Sequence, residues 1–312
     1  MPIEYTEYEY MVLVIDMRIL LLHYKATPPW SVKELENAAV KLGHTPVYLR
    51  INNLDAQITS NGDILVRHHD EIVEGEGGVI RGIGLRLTLE TFMRRIGLLE
   101  VLDQLIPLIN KPETIMIARD KWRSLIELSK HGLPVPETII TENPFTAKRF
   151  VEKHGKAVFK PLMGSLGLGS SLILDPDIAF HITRTMFNLN LPSYYQVYIE
   201  KPGYDFRVFI VGDQVIGAMK RVGLSWKTNI FQGARGEKIS EKDYPEVFDL
   251  GLKASRALGL DYAGIDIVYD IVNDKYYIIE VNAFPQWKGL KTATGVDPAI
   301  HIIKHLIDII RR

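Results

Sequence analysis

Residues 264–285 read GIDIVYDIVNDKYYIIEVNAFP, two apolar runs rich in Ile, Val and Tyr on either side of Asn273 and Asp274. Such runs around a short polar pair predict two antiparallel strands joined by a turn. Glu280 and Asn282 are two apart, so on a strand their side chains share a face. Asp266 lies on the preceding strand, and pairing through the turn would bring all three oxygens together. A set of this kind suits Mg2+, which takes a few carboxylate or carbonyl oxygens and completes its shell with phosphate and water. Solvated charges on half-exposed strands are the plain alternative. The flanking Ile265, Ile267, Ile279 and Val281 leave this the only polar face and favour a site.

Upstream, Lys160 precedes a glycine cluster, Gly164, Gly167 and Gly169. Glycines let backbone N–H groups approach phosphate oxygens without a Cβ in the way, and the lysine supplies a cation. A flexible turn is the default reading of such a cluster. GSLGLGSS lacks the lysine of a Walker A loop, and its spacing is GxxGxG rather than GxGxxG, so neither familiar nucleotide motif applies. Between loop and hairpin, Arg207, Lys220, Arg221 and Lys227 fall on or beside adjacent strand candidates, with Asp205, Arg207 and Phe209 alternating on one of them. Cations aimed into a cleft would neutralise a triphosphate and the charge that develops during phosphoryl transfer. The histidines, with no acid partner in view, read as structural.

Towards the N-terminus, MRILLLHY predicts a strand, Ser31 a helix cap before VKELENAAVKLG, and TPVYLR a second strand. Together they form a βαβ unit whose loop Lys25–Trp30 should face a cleft. Residues 1–16 precede it as an extra strand, a tail or an overlong start. The chain divides into an N-terminal α/β lobe (1–110), a central α+β lobe (111–195) and a C-terminal lobe (196–312) that would hold the metal, with a helix in DPAIHIIKHLIDIIRR packing on the sheet. At 312 residues several cores are allowed. The 46% hydrophobic content and net charge of −1 describe a folded chain with no excess for nucleic acid or an anionic membrane. The absence of cysteine excludes disulfides, thiolate nucleophiles and Cys-ligated metals. With no apolar run long enough to span a bilayer and no basic leader, the expected location is the cytoplasm. Homo-oligomerisation is left open.

From about Arg81 onward the chain resembles ATP-grasp proteins of the RimK-type α-L-glutamate ligase group. Seven segments carry the likeness in order: RDKWRSL (119–125), VFKPLMGSLGLG (158–169), QVYIE (196–200), GYDFRVFIVGDQVIGAMKR (203–221), TNIFQGA (228–234), GIDIV (264–268) and IIEVNAFP (278–285). The resemblance implies an ATP-grasp fold of mixed α/β and α+β lobes, with an N-terminal βαβ domain and ATP clamped between two antiparallel-sheet lobes. It implies that Lys121 and Lys160 touch nucleotide phosphates, that Val197 and Tyr198 lie beside adenine, and that Asp205 lies near the ribose. Arg207, Lys220 and Lys227 would act on the phosphate and acyl phosphate, with Thr228 and Asn229 beside them. Gly164, Ser165, Gly167 and Gly169 would close over the γ-phosphate. Asp266, Glu280 and Asn282 would hold Mg2+, or Mn2+ in its place. Three positions depart from the group's usual pattern: Lys227 where Arg is common, Val197 where an acid is usual, and AFPQWKG after Asn282, where Trp287 and Lys288 would either shape an acceptor pocket or simply pack.

The implied activity joins a carboxylate to an amine through an acyl phosphate, with ATP, L-glutamate and a carboxylate acceptor as small-molecule substrates. Arg81, in VIRGIG, is the expected grip on an acceptor carboxylate. A coenzyme acceptor such as a pterin or deazaflavin is favoured over a protein tail or an amino-group carrier protein. A phosphotransferase and a nucleotide-binding protein without turnover are the readings from other classes.

Overall fold

The computed structural model describes residues 16–85, 87–162, 169–223 and 235–312. The N-terminal lobe begins with β1 (Arg18–His23), α1 (Trp30–Lys41) and β2 (Thr45–Arg50). It continues through β3 (Leu54–Ile58), β4 (Ile64–His68), β5 (Glu71–Ile72), β6 (Gly77–Gly82), α2 (Leu89–Leu105) and β7 (Leu108–Ile109). The parallel sheet runs in the order β2-β1-β6-β7, so the expected βαβ unit is present. Helix α1 starts at Trp30 with Pro29 at its cap position and no side-chain cap, so Ser31 is not the cap that its position suggested. The small antiparallel sheet β3-β4-β5 is an excursion before the chain returns to β6.

Two helices follow, α3 (Pro112–Arg119) and α4 (Lys121–Lys130), the second capped by Asp120, whose carboxylate accepts from the N–H groups of Trp122 and Arg123. The next lobe contains β8 (Thr138–Thr141), α5 (Pro144–His154), β9 (Ala157–Lys160), β10 (Ser171–Ile173), α6 (Pro176–Asn188) and β11 (Ser193–Val197). Its strands form an antiparallel sheet of order β10-β9-β11-β8. The C-terminal sheet, β14-β13-β12-β15-β16, is also antiparallel. It is built from β12 (Tyr204–Val211), β13 (Gln214–Val222), β14 (Arg235–Lys238), β15 (Tyr262–Asp270) and β16 (Lys275–Asn282), with helices α7 (Pro245–Ala257), α8 (Lys288–Thr294) and α9 (Pro298–Ile310).

Burial groups these elements into a body and a lid. One core joins Leu20, Leu22 and Ile80 of the first sheet to Phe206, Val208 and Ile265 of the third through residues of α2, α3, α4 and α7. A second core buries α1 and α9 with Phe209, Met219 and Trp287. The residues 138–197 have a core of their own, centred on Phe150, Val151, Phe159 and Tyr195. Leu125 and Leu128 of α4 are buried in the first body core, not in that of the lid.

One side chain ties the two sheets of the body together. Asn110 is fully buried; its amide donates to the carbonyls of Tyr262 (2.9 Å) and Ala283 (3.0 Å) and accepts from Tyr262 N–H (2.9 Å). The Tyr262 hydroxyl in turn donates to the Ile80 carbonyl of β6 at 2.5 Å. Replacing Asn110 by Ala strands one buried donor and two acceptors, so N110A should lose about 3 kcal/mol of stability, read as a lower urea midpoint.

Candidate active site

The expected hairpin forms in the register that matters, with Asp266 opposite Glu280 and Gly264 opposite Asn282. Its turn is pinned by Asp270, whose carboxylate accepts from the N–H groups of Val272 (2.9 Å) and Asn273 (3.3 Å). On the other side of β15, Arg207 lies opposite Asp266, and one strand further Asp205 lies opposite Arg221. The side chains therefore share one sheet face. Arg207 grips Asp266 with two bonds, 2.5 Å from Nε and 3.1 Å from Nη2. Arg221 grips Asp205 in the same way at 2.7 and 2.8 Å, and its Nη2 also reaches Asp266 at 3.1 Å. Burial alone would raise Asp266, but Arg207 and Arg221 outweigh it and hold the carboxyl below its ordinary range. Burial also works against the Arg221 charge, and the two aspartates more than offset it. Gly264 makes the packing feasible, because a Cβ there would meet Arg207 Nη1 at 2.5 Å and Pro285 at 2.7 Å.

These contacts leave oxygen donors for a cation. Asp266 accepts three bonds of the roughly four that its lone pairs allow. Glu280 makes no hydrogen bond or ion pair among the described residues. Asn282 donates through its amide nitrogen to Gly264 O at 3.4 Å, which leaves its oxygen available. Among the described residues no three His, Asp or Glu side chains form a cage, so the set is two carboxylates and an amide oxygen. Hard oxygens in this number fit Mg2+, which binds few protein ligands and keeps water and phosphate in its shell.

Cations from the lid and the body face this set. Lys160, at the end of β9, donates to Gln196 Oε1 at 2.6 Å. Burial pushes its pKa down to about 8, opposed chiefly by Glu280. Lys121, at the start of α4, donates to Leu162 O at 3.4 Å, and burial depresses it too against the pull of Glu280. Lys201 lies between the lid and β12; burial lowers it while Asp205 and Asp266 pull it up.

A family model described as the RimK-like ATP-grasp domain matches residues 118–306. The chain is 33% identical over 225 residues to the tetrahydromethanopterin:alpha-L-glutamate ligase of Methanocaldococcus jannaschii, covering 70% of this chain and 76% of that one. To the same-named ligase of Methanococcus maripaludis it is 30% identical, with 89% and 94% covered. The chain belongs to the RimK-like ATP-grasp family. Its backbone also resembles that of the ATP-grasp ligase PsnB solved with a minimal precursor, with a TM-score of 0.73 at 23% identity over 94% of this chain and 99% of that one. It is therefore an ATP-grasp ligase, with the fold that the seven sequence segments implied.

Within this ATP-grasp ligase the structure brings together Lys121, Lys160, Asp205, Arg207, Asp266, Glu280 and Asn282. Gly164, Ser165, Gly167, Lys227, Thr228 and Asn229 lie outside the described residues. Gly169 ends the loop with φ +79°, and a Cβ there would press on Pro161 at 2.8 Å. Val197 and Tyr198 form the junction between lid and body, their N–H groups donating to Glu137 O (2.9 Å) and Lys156 O (3.2 Å). Asp205, expected near the ribose, is buried and pairs with Arg221. Lys220 departs from its expected place. It pairs opposite Phe206 on the other sheet face, with its ammonium 4.5 Å from the ring centres of both Tyr204 and Tyr244. Arg221, one residue on, faces the cleft instead, and Lys201 is the further cation that the motifs did not single out. Arg81 is buried, donates to Pro285 O (2.9 Å) and lies 4.5 Å from the Trp287 ring. Trp287 is fully buried against Trp30 and Phe209, so it packs. No helix among the described residues is long and apolar enough to cross a membrane.

The face assignment gives a direct test: K220M should keep ligase turnover within about threefold, because it forfeits a cation–π contact away from the cleft. R221K, which swaps a planar fork for a point charge, should lose at least about a hundredfold in kcat. Lys160 gives a second. Its cation is present below about 8 and is lost as pH rises through that value. ATP affinity measured by titration should thus fall above pH 8 by up to about tenfold per unit, and K160R should flatten the profile.

Proposed function

We propose that the protein forms an amide between L-glutamate and a carboxylate of a small coenzyme-type acceptor, such as a pterin or a deazaflavin, by way of an acyl phosphate. The observation that carries this reading is the single sheet face on which Asp266, Glu280 and Asn282 stand beside the cations of the lid, in a chain whose relatives are named as glutamate ligases. In this reading Lys121 and Lys160 bind the nucleotide phosphates, and Arg207, held in line by Asp266, neutralises the acyl phosphate. Arg221 is the positioning residue that pairs with Asp205 and, with Arg207, holds the Asp266 carboxyl below its ordinary range. Mg2+ on Glu280, Asn282 and Asp266, or Mn2+ on the same ligands, would supply charge neutralisation across the phosphates. Closure of the lid over the cleft would keep water from the acyl phosphate.

The test incubates purified protein with MgATP, L-glutamate and acceptors in turn, an acidic peptide included, and follows ADP and product mass. Acceptor-dependent ADP release with one glutamyl residue gained is the expected result. E280Q should lower kcat at least about a hundredfold without changing the fold by circular dichroism. A stable phosphorylated product would instead establish a phosphotransferase, and nucleotide binding without turnover across the panel would leave a binder.

A further inference from the structure

The first sheet runs β2-β1-β6, so the chain leaves β1 to one side and later returns to its other side. Open parallel sheets take ligands at the carboxyl ends of the strands where this reversal occurs. Here that point lies between His23 of β1 and Arg81 and Gly82 of β6. Gly82 lets the His23 ring pack close against β6, since a Cβ there would come within 3.0 Å of that ring.

Three arginines from separate elements converge on this crevice. Arg81 is 3% exposed; its Nη2 donates to Pro285 O and its guanidinium lies 5.6 Å from the Tyr262 ring centre, while Nε and Nη1 have no hydrogen-bond partner among the described residues. Arg95 of α2 is 8% exposed; it donates to Ile83 O at 2.5 Å, and its Nε has no hydrogen-bond partner among the described residues. Arg119 of α3 reaches Gly84 O at 3.4 Å, sits 6.0 Å from the Phe284 ring, and its Nε likewise has no such partner. Stacked His23 and Tyr24 form the shared wall. With its amide turned to satisfy both neighbours, Asn52 donates to Tyr24 O and accepts from Arg95 Nη2 at 3.1 Å. None of the three arginines, nor neighbouring Lys25 and Arg50, has an acidic partner within ion-pair distance among the described residues. Buried guanidinium N–H groups without acceptors are costly, and a carboxylate is the acceptor whose geometry fits their fork. Burial, with Arg81 and Lys25 adding to it, holds His23 neutral, at a pKa of about 4. The crevice adjoins the metal face, because Phe284 and Pro285 follow Asn282 by two and three residues.

We infer that this crevice is the subsite for a dicarboxylic amino acid, with Arg81, Arg95 and Arg119 neutralising its two carboxylates while its amine is directed at the neighbouring metal face. The inference rests on the ligase reading and adds the residues that select its amine substrate. Enclosure favours the small amino acid over the larger acceptor, since two of the three arginines are more than nine-tenths buried.

Calorimetric titration of the full chain, with MgADP present, tests it. Wild type should bind L-glutamate at least about tenfold more tightly than L-glutamine, which lacks one carboxylate. R119Q, at a half-buried position, and R81K should each weaken glutamate at least about tenfold with ATP affinity unchanged. R94Q, which removes a cation paired with Asp55, should bind glutamate as wild type does. Equal affinity for the two amino acids, no glutamate binding, or wild-type glutamate affinity in both R119Q and R81K overturns the assignment. Glutamyl product formed by R119Q at the wild-type KM for glutamate would reject the crevice and leave the ligase standing. Arginine-dependent glutamate binding by a protein that never releases ADP would do the reverse.

Discussion

Two aspartates and two arginines in a row across three strands, all buried but the part-buried Arg207, set the terms for the cleft. Removing such charges from water costs several kcal/mol per ion, and the cost is recovered only by close, multiply bonded pairing. Asp205–Arg221 and Arg207–Asp266 meet that condition, each through two hydrogen bonds. The row is possible only in one register of β13, β12 and β15, since a slip by one residue would turn every member to the opposite face. It needs glycine at 264 to admit the Arg207 guanidinium. Once Asp205 and Asp266 are balanced, Glu280 is left facing the lysines of the lid and body, and the face keeps a donor set for a cation.

Much of this was legible locally. Alternation is a two-residue pattern, so Asp266, Glu280 and Asn282 could be placed on one face from the hairpin alone, whereas the two antiparallel-sheet lobes came with the family resemblance. What depended on a partner strand could not. Lys220 and Arg221 are adjacent and both basic, and only the pairing of Asp205 with Arg221 decides which one faces the cleft. The pairing of Asp205 was equally hidden, because nothing in GYDFRV announces the guanidinium it meets. The β3-β4-β5 excursion was signalled by the Asn61–Gly62 turn, with Gly62 at φ +87°, although its strands carry too few apolar residues to stand out. The arginine crevice draws on positions 81, 95 and 119, brought together by the packing of α2 and α3 on the first sheet, a distance in sequence over which no motif extends.

The body is continuous while the lid stands apart. The first and third sheets share two cores and the Asn110 clasp, whereas residues 138–197 enclose Phe150, Phe159 and Tyr195 among themselves. The chain passes between the two parts only near Leu133–Glu137 and Tyr198–Gly203. The first crossing packs Leu133 and Val135 on the body core and accepts Ile278 N–H at Pro134 O (2.8 Å), the second accepts Ile271 N–H at Glu200 O (2.9 Å), and Tyr194 of β11 is buried in that same core.

This division gives the molecule two cores of unequal size, joined where Tyr194 of β11 is buried in the larger one, so opening the smaller would uncover that ring. On the function proposed above, a nucleotide held by Lys160 on one side and Lys121 and Glu280 on the other would be a tie between the two parts, adding its binding free energy to whichever would open first. In that reading each release of ADP would remove the tie, leaving the lid least held at the moment when it must admit the next ATP.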